Sequence, residues 1–158
     1  MKKLIIFMLV SPGFLMAQRG MERERKLEDK AMRERIKAER IAYITEQVSL
    51  SAEEAQLFWP VYNNFTNELE QIRKDLRKTR KNRNQNLDKL SDKELDDSFA
   101  DELKLMERQS TLMRDNHQQI RKVLPARKVA QLYEAEQKFR MQLMKRMRER
   151  GLPPPEEE

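Results

Sequence analysis

The chain has 158 residues, with 33 Lys and Arg against 27 Asp and Glu, a single His and no Cys. That length supports one domain, and the lack of Cys excludes a disulfide framework, a Cys-based zinc site, a thiol nucleophile and a lipid-anchored N-terminal Cys. Charged residues make up 38%, against a usual value of about 25%, so much of the chain has to face water. One His excludes a multi-His metal centre. With no Gly-rich phosphate loop, Ser-His-Asp set or metal-ligand spacing, the chain is not expected to be an enzyme or to need a cofactor.

The first residues read as a secretory signal. Met1-Lys2-Lys3 is a short positive segment, Leu4 to Val10 is an unbroken apolar run, and Ser11-Pro12-Gly13 is expected to break the chain before Phe14-Leu15-Met16-Ala17. The apolar run is too short to span a bilayer, and the layout is that of an exported protein cleaved near Ala17. The expected organisation is a signal peptide over 1–17, a helical domain over 18–151 and a flexible Pro/Glu-rich tail over 152–158. Cleavage leaves a net charge of +4, and an exported protein meets no genomic DNA, so the basic balance does not call for a nucleic-acid partner.

Four helical segments follow, with almost nothing that favours strands. The first covers roughly 21–48; 14 of the 19 residues from Glu22 to Arg40 are charged with signs interleaved, and Ile41, Ile44 and Val48 then form a short apolar stripe. The second opens on a capping box, Ser51 with Glu54, and carries Phe58, Tyr62, Phe65, Leu69, Ile72 and Leu76 at alternating four- and three-residue spacing, which keeps all six on one face. Pro60 predicts a kink, or a turn with a new helix starting there. After a connection over Asn82 to Lys89, the third helix opens on a second capping box, Ser91 with Glu94. Its predicted buried seam is Phe99, Leu103, Met106, Ser110, Met113, His117, Ile120 and Leu124. Leu124-Pro125 breaks the chain, and the fourth helix carries Val129, Leu132, Tyr133, Phe139, Leu143 and Met147 before a C-terminal Gly151. Long helices around so few apolar residues predict an all-α, elongated hairpin or cradle, with a homodimer covering the remaining seam.

Leu50-Ser51-Ala52-Glu53-Glu54, followed by Phe58-Trp59-Pro60-Val61-Tyr62-Asn63, resembles the first LTxxQ region of the Spy/CpxP family, exported proteins of diderm envelopes that include CnrX-like heavy-metal sensors and sensors of extracytoplasmic-function sigma factors. Leu124-Pro125-Ala126-Arg127-Lys128 stands where the second copy would lie. Ser51 and Pro125 replace Thr, and Glu54 and Lys128 replace Gln. The resemblance implies a periplasmic location, a cradle of long helices paired antiparallel in a dimer, and a concave binding face. As helix-turn signals alone, the same residues need no function.

Two groups are candidates for client binding: the aromatic cluster Phe58, Trp59, Tyr62 and Phe65, and the basic run Arg73, Lys74, Arg77, Lys78, Arg80, Lys81 and Arg83. Charge speeds encounter and apolar contacts hold weakly, which suits an ATP-independent chaperone for unfolded or misassembled envelope proteins. A sensor or regulator acting on a membrane signalling partner, and a coiled-coil spacer, are the alternatives. The basic run also reads as a solvated helix end or, less expected, as a site for a membrane surface. His117 and Met113, one turn apart, are weak metal candidates. Met is more often a flexible filler and a seam His is usually packed, so no metal site is expected.

Overall fold

The computed structural model describes residues 12–151. They form four α-helices, α1 (Pro12–Val48), α2 (Ala52–Gln85), α3 (Asp92–Val123) and α4 (Ala126–Glu149), with a short 3-10 turn over Leu87–Lys89 and no strand among the described residues. The fold is all-α, as the periodicity predicts. The apolar run Leu4–Val10 and the tail from residue 152 lie outside the described residues. The chain divides into two compact units, Met1–Ala42 and Tyr43–Glu158. In the first, the interleaved charges of α1 leave nearly every described side chain between Met21 and Glu39 exposed.

α1 begins earlier than the roughly 21–48 expected, because Pro12 starts the helix instead of breaking it. At a first helical position the fixed φ of Pro is favourable and its missing N–H costs nothing. At the other end the corner into α2 is a Schellman turn: the Leu50 N–H donates to the Thr45 carbonyl at 3.2 Å and the Ser49 N–H to that of Glu46 at 3.1 Å. Ser49 itself takes the left-handed conformation, φ 50°, where glycine is the usual occupant.

Both capping boxes form. The Ser51 N–H donates to Glu54 Oε2 at 2.8 Å and the Glu54 N–H returns to Ser51 Oγ at 3.2 Å; Ser91 and Glu94 repeat the exchange at 2.8 and 3.4 Å. α2 then runs through Pro60 without ending, so no new helix starts there, and it continues to Gln85, into the expected connection. Leu124 leaves α3 in an extended conformation (φ −119°, ψ 142°), and Pro125 caps α4. Arg150 ends α4, and Gly151 follows at φ +64°.

The core of the second unit sits where four helix ends meet. Ile44 and Val48 come from the end of α1, Phe58 and Tyr62 from the start of α2, Ile120 and Leu124 from the end of α3, and Val129, Leu132 and Ala135 from the start of α4. The Tyr43 ring reaches Phe139, 5.7 Å between centroids. Away from this junction α2 and α3 pack against one another as an antiparallel arm, each about 50 Å long at 1.5 Å per residue. The predicted α2 stripe is its packed face: Phe58, Tyr62, Ile72 and Leu76 are buried, and Phe65 and Leu69 half-buried.

The α3 seam requires correction. Ile120 and Leu124 are buried, but Phe99, Leu103, Met106 and Met113 are 50%, 65%, 47% and 52% exposed, and Ser110 and His117 are exposed too. The side turned to α2 is the neighbouring stripe Leu95, Ser98, Glu102, Leu105, Gln109, Leu112 and Asn116, all half-buried or buried. Leu95, Leu105 and Leu112 of that stripe share a helix face with Ile120, which the junction buries, and Glu102 on it meets Arg80 Nε at 2.7 Å and Arg83 Nη1 at 2.8 Å. With that face turned to α2, the more apolar stripe is left outward.

The two stripes should separate cleanly under mutation. Ile120→Ala should cost about 2–5 kcal/mol, the range for truncating a buried aliphatic side chain, whereas Leu103→Ala should stay within about 0.5 kcal/mol, as at other exposed positions. Urea unfolding of the two variants checks this; equal losses would place Leu103 in a buried seam.

Candidate functional site

The aromatic cluster at the start of α2 is divided by burial. Phe58 is fully buried and Tyr62 nearly so, and both belong to the four-helix junction. Trp59, half-buried against that core, stands edge-on to both rings at 4.8 and 5.4 Å between centroids. Phe65 is half-buried one turn beyond Tyr62. Phe58 and Tyr62 are therefore occupied in holding the helix ends together, and only Trp59 and Phe65 offer partial surface to another molecule.

The basic run is also divided. Arg80 and Arg83 are engaged with Glu102, and the Arg83 guanidinium lies over the Phe99 ring, 4.3 Å from its centroid. Arg83 Nη1 also reaches Ser98 Oγ at 3.5 Å. Lys74, Arg77, Lys78 and Lys81 are exposed, and Arg73 is half-buried. Arg73, Arg77 and Arg80 follow at four- and three-residue intervals and so share one flank of α2. The contacts of Arg80 with Glu102 and of Arg83 with Phe99 put that flank on the same side of the arm as the exposed α3 stripe. The opposite side of the arm is a polar groove lined by Asp75, Lys78, Thr79, Asn82, Ser98 and Asp101, among others.

The arm thus presents a composite face that periodicity alone did not reveal: Phe99, Leu103, Met106 and Met113 in a row, bordered along α2 by arginines. An outward row of four large apolar side chains is unusual on a helix with this much charge, since contiguous exposed apolar surface marks an interaction site. Methionine contributes an adaptable contact there, because its thioether side chain is unbranched and flexible.

The two LTxxQ-like segments meet in space. Lys128, third residue of α4, donates from Nζ to the Ser49 carbonyl at 2.9 Å and to Glu54 Oε2, the carboxylate that also closes the α2 capping box. The last residues of Leu50–Glu54 and Leu124–Lys128, 74 positions apart, are therefore one ion pair at the core junction. An acid in the first segment thus faces a base in the second. Hydrogen bonding from Lys128, then from the Ser51 backbone, holds the Glu54 carboxyl below its ordinary value of 4.5. The Arg80 and Arg83 contacts lower Glu102 in the same direction.

His117 and Met113 lie on the exposed stripe. His117 Nδ1 is 2.8 Å from the Tyr133 hydroxyl, with the rings stacked at 6.0 Å, so the His joins α3 to α4. Burial pushes the Tyr133 hydroxyl up, aided by the Glu136 charge. Among the described residues no group of three or more His, Asp or Glu could hold a metal ion, and no helix is long and apolar enough to cross a membrane.

Two outcomes follow from the ion pairs. Glu54→Lys and Lys128→Glu should each lower the thermal midpoint, and the double exchange should restore more than half of the loss; a double variant as unstable as the sum would remove the pairing. Because the folded carboxyls of Glu54 and Glu102 sit below their unfolded value, their ionised forms stabilise the fold above about pH 4.5. That contribution is lost as pH falls through the lower folded values. Glu102→Gln should flatten the acid limb of a melting-temperature profile, and an unchanged limb would show that Glu102 contributes nothing. No protein-family model, curated protein or solved structure matches this chain.

Proposed function

We propose that the protein is a periplasmic, ATP-independent chaperone-like binder of unfolded or misassembled envelope proteins, and that it captures them on the outward face of the α2–α3 arm. The observation that carries this reading is the exposed row Phe99, Leu103, Met106 and Met113 beside the arginine flank of α2. Weak, reversible contact on an open apolar row needs no nucleotide, and the cations nearby raise the encounter rate with acidic chains. The secretory layout of the N-terminus and the LTxxQ-like segments support the location and a Spy/CpxP-type role.

The client surface proposed here differs from the aromatic group read from the sequence, because Phe58 and Tyr62 are committed to the core. Within the basic run, Lys74, Lys78 and Lys81 are the residues to vary, since Arg80 and Arg83 bind Glu102. A homodimer, as expected from the sequence, would compete with clients if it drew on the same α3 row.

The test is suppression of aggregation of a chemically denatured client, without ATP, at equimolar protein. Suppression should weaken severalfold in Leu103→Lys. Neutralising Lys74, Lys78 and Lys81 should slow capture of an acidic client, and added salt should reproduce that slowing as the Debye length shortens below about 8 Å. Absence of any suppression would abandon the chaperone reading in favour of a regulator of a membrane signalling protein.

A further inference from the structure

We infer that Met106 and Met113 form a reversible oxidation site, and that their conversion to methionine sulfoxide by a peroxide withdraws the α3 row from clients. The inference rests on the client surface proposed above and adds how that surface is controlled. The chain has no Cys, so thioethers are the sulfur groups that an oxidant meets, and an outward sulfur is reached before a covered one. Met106 and Met113 are about half exposed on α3, whereas Met144 and Met147 of α4 are half-buried. Met141 is as open to solvent as the α3 pair but lies on α4, away from the row. Oxidation there supplies an internal comparison.

The step is a two-electron oxygen transfer. A lone pair of the thioether sulfur attacks one peroxide oxygen; the O–O bond breaks as the S–O bond forms, and the other oxygen leaves as water with both protons. The sulfur is oxidised and the peroxide reduced. A flexible apolar side chain becomes a polar, chiral one. Position gives the change its effect. Met106 and Met113 make up half of the row Phe99, Leu103, Met106 and Met113, which spans about 21 Å at 1.5 Å per residue. With both oxidised, the apolar surface shrinks to Phe99 and Leu103, about 6 Å apart along the helix. Neither thioether belongs to the buried core, so the fold has no need of them in the reduced form. Sulfoxide reductases restore the thioether: the oxygen leaves as water while two thiols of the reductant become a disulfide.

The experiment treats the whole protein with limiting hydrogen peroxide, destroys the excess with catalase before any client is added, and reads oxygen uptake at each Met by peptide mass spectrometry. Met106 and Met113 should be oxidised well before Met144 and Met147. Suppression of client aggregation should fall severalfold with the thermal midpoint unchanged, and should return after treatment with the two epimer-specific sulfoxide reductases and a dithiol. The double variant Met106→Leu with Met113→Leu keeps the row apolar and should resist peroxide, while Met141→Leu should remain as sensitive as the parent. Met106→Gln with Met113→Gln, which places a polar group of similar length at both positions, should reproduce the loss without any oxidant.

Intact suppression after both sulfoxides have formed would overturn the inference and leave the chaperone reading standing. So would a Leu double variant that loses suppression to peroxide as readily as the parent, since the sensitive group would then lie elsewhere. Oxidation of Met106 and Met113 no faster than that of Met144 and Met147 would show the row to be covered in solution and likewise overturn it. If the untreated protein suppresses no aggregation at all, the chaperone reading falls and the inference falls with it.

Discussion

A two-helix arm can bury only one strip of each helix, and most of what is particular about this protein follows from that limit. Where four helix ends converge, side chains are enclosed from several directions and nine residues reach near-complete burial. Beyond that junction, among the described residues, α2 and α3 pack chiefly on one another. Each keeps one strip covered, and whichever apolar residues lie on the next strip remain in water. The cost of exposing them is set against the gain from the ion cluster of Arg80, Arg83 and Glu102, in which Arg83 and Glu102 are largely withdrawn from solvent.

That competition explains which parts of the fold were legible in the sequence. The capping boxes at Ser51 and Ser91 were readable because each is complete within four residues, and Leu124-Pro125 was readable because the steric conflict is local. The α2 stripe was readable because only one apolar strip exists on that helix. α3 carries two adjacent strips. Counting apolar residues favours Phe99, Leu103, Met106 and Met113, whereas the strip that packs contains Ser98, Glu102, Gln109 and Asn116. Choosing between them needed the knowledge that Arg80 and Arg83 of another helix would lie opposite Glu102, and no local pattern supplies that. Even Asn116, whose Oδ1 is buried without a hydrogen-bond partner, was drawn inward by the rotation of the helix.

The candidate site was partly legible for the same reason. The basic run stood out as a cluster, but which of its cations meet Glu102 depends on α3. The aromatic cluster also stood out, and its most prominent members proved to be the hub of the core: Phe58 meets Trp59 edge-on and Tyr62 at a tilt. The ion pair between Glu54 and Lys128 was hidden by distance along the chain. Nothing local to either segment announces the pair, and only the contact shows that the acid of one belongs with the base of the other. A Lys in the first turn of a helix is otherwise disfavoured by the helix dipole, and Glu54 supplies the missing anion.

The graded burial along the arm also governs how it moves. Side chains are fully enclosed near Phe58 and Ile120, Leu76 is the last buried apolar residue of α2, and beyond it the arm is joined mainly by the Arg–Glu cluster and closed by the 3-10 turn with Leu87 exposed. Local opening free energies track buried apolar contact, so the backbone amides near the turn should exchange with solvent through small openings, while those at the junction exchange only when the whole unit unfolds. The arm is in effect a zipper that frays from its tip. Its outer turns can part and close again many times without disturbing the helix ends that anchor it.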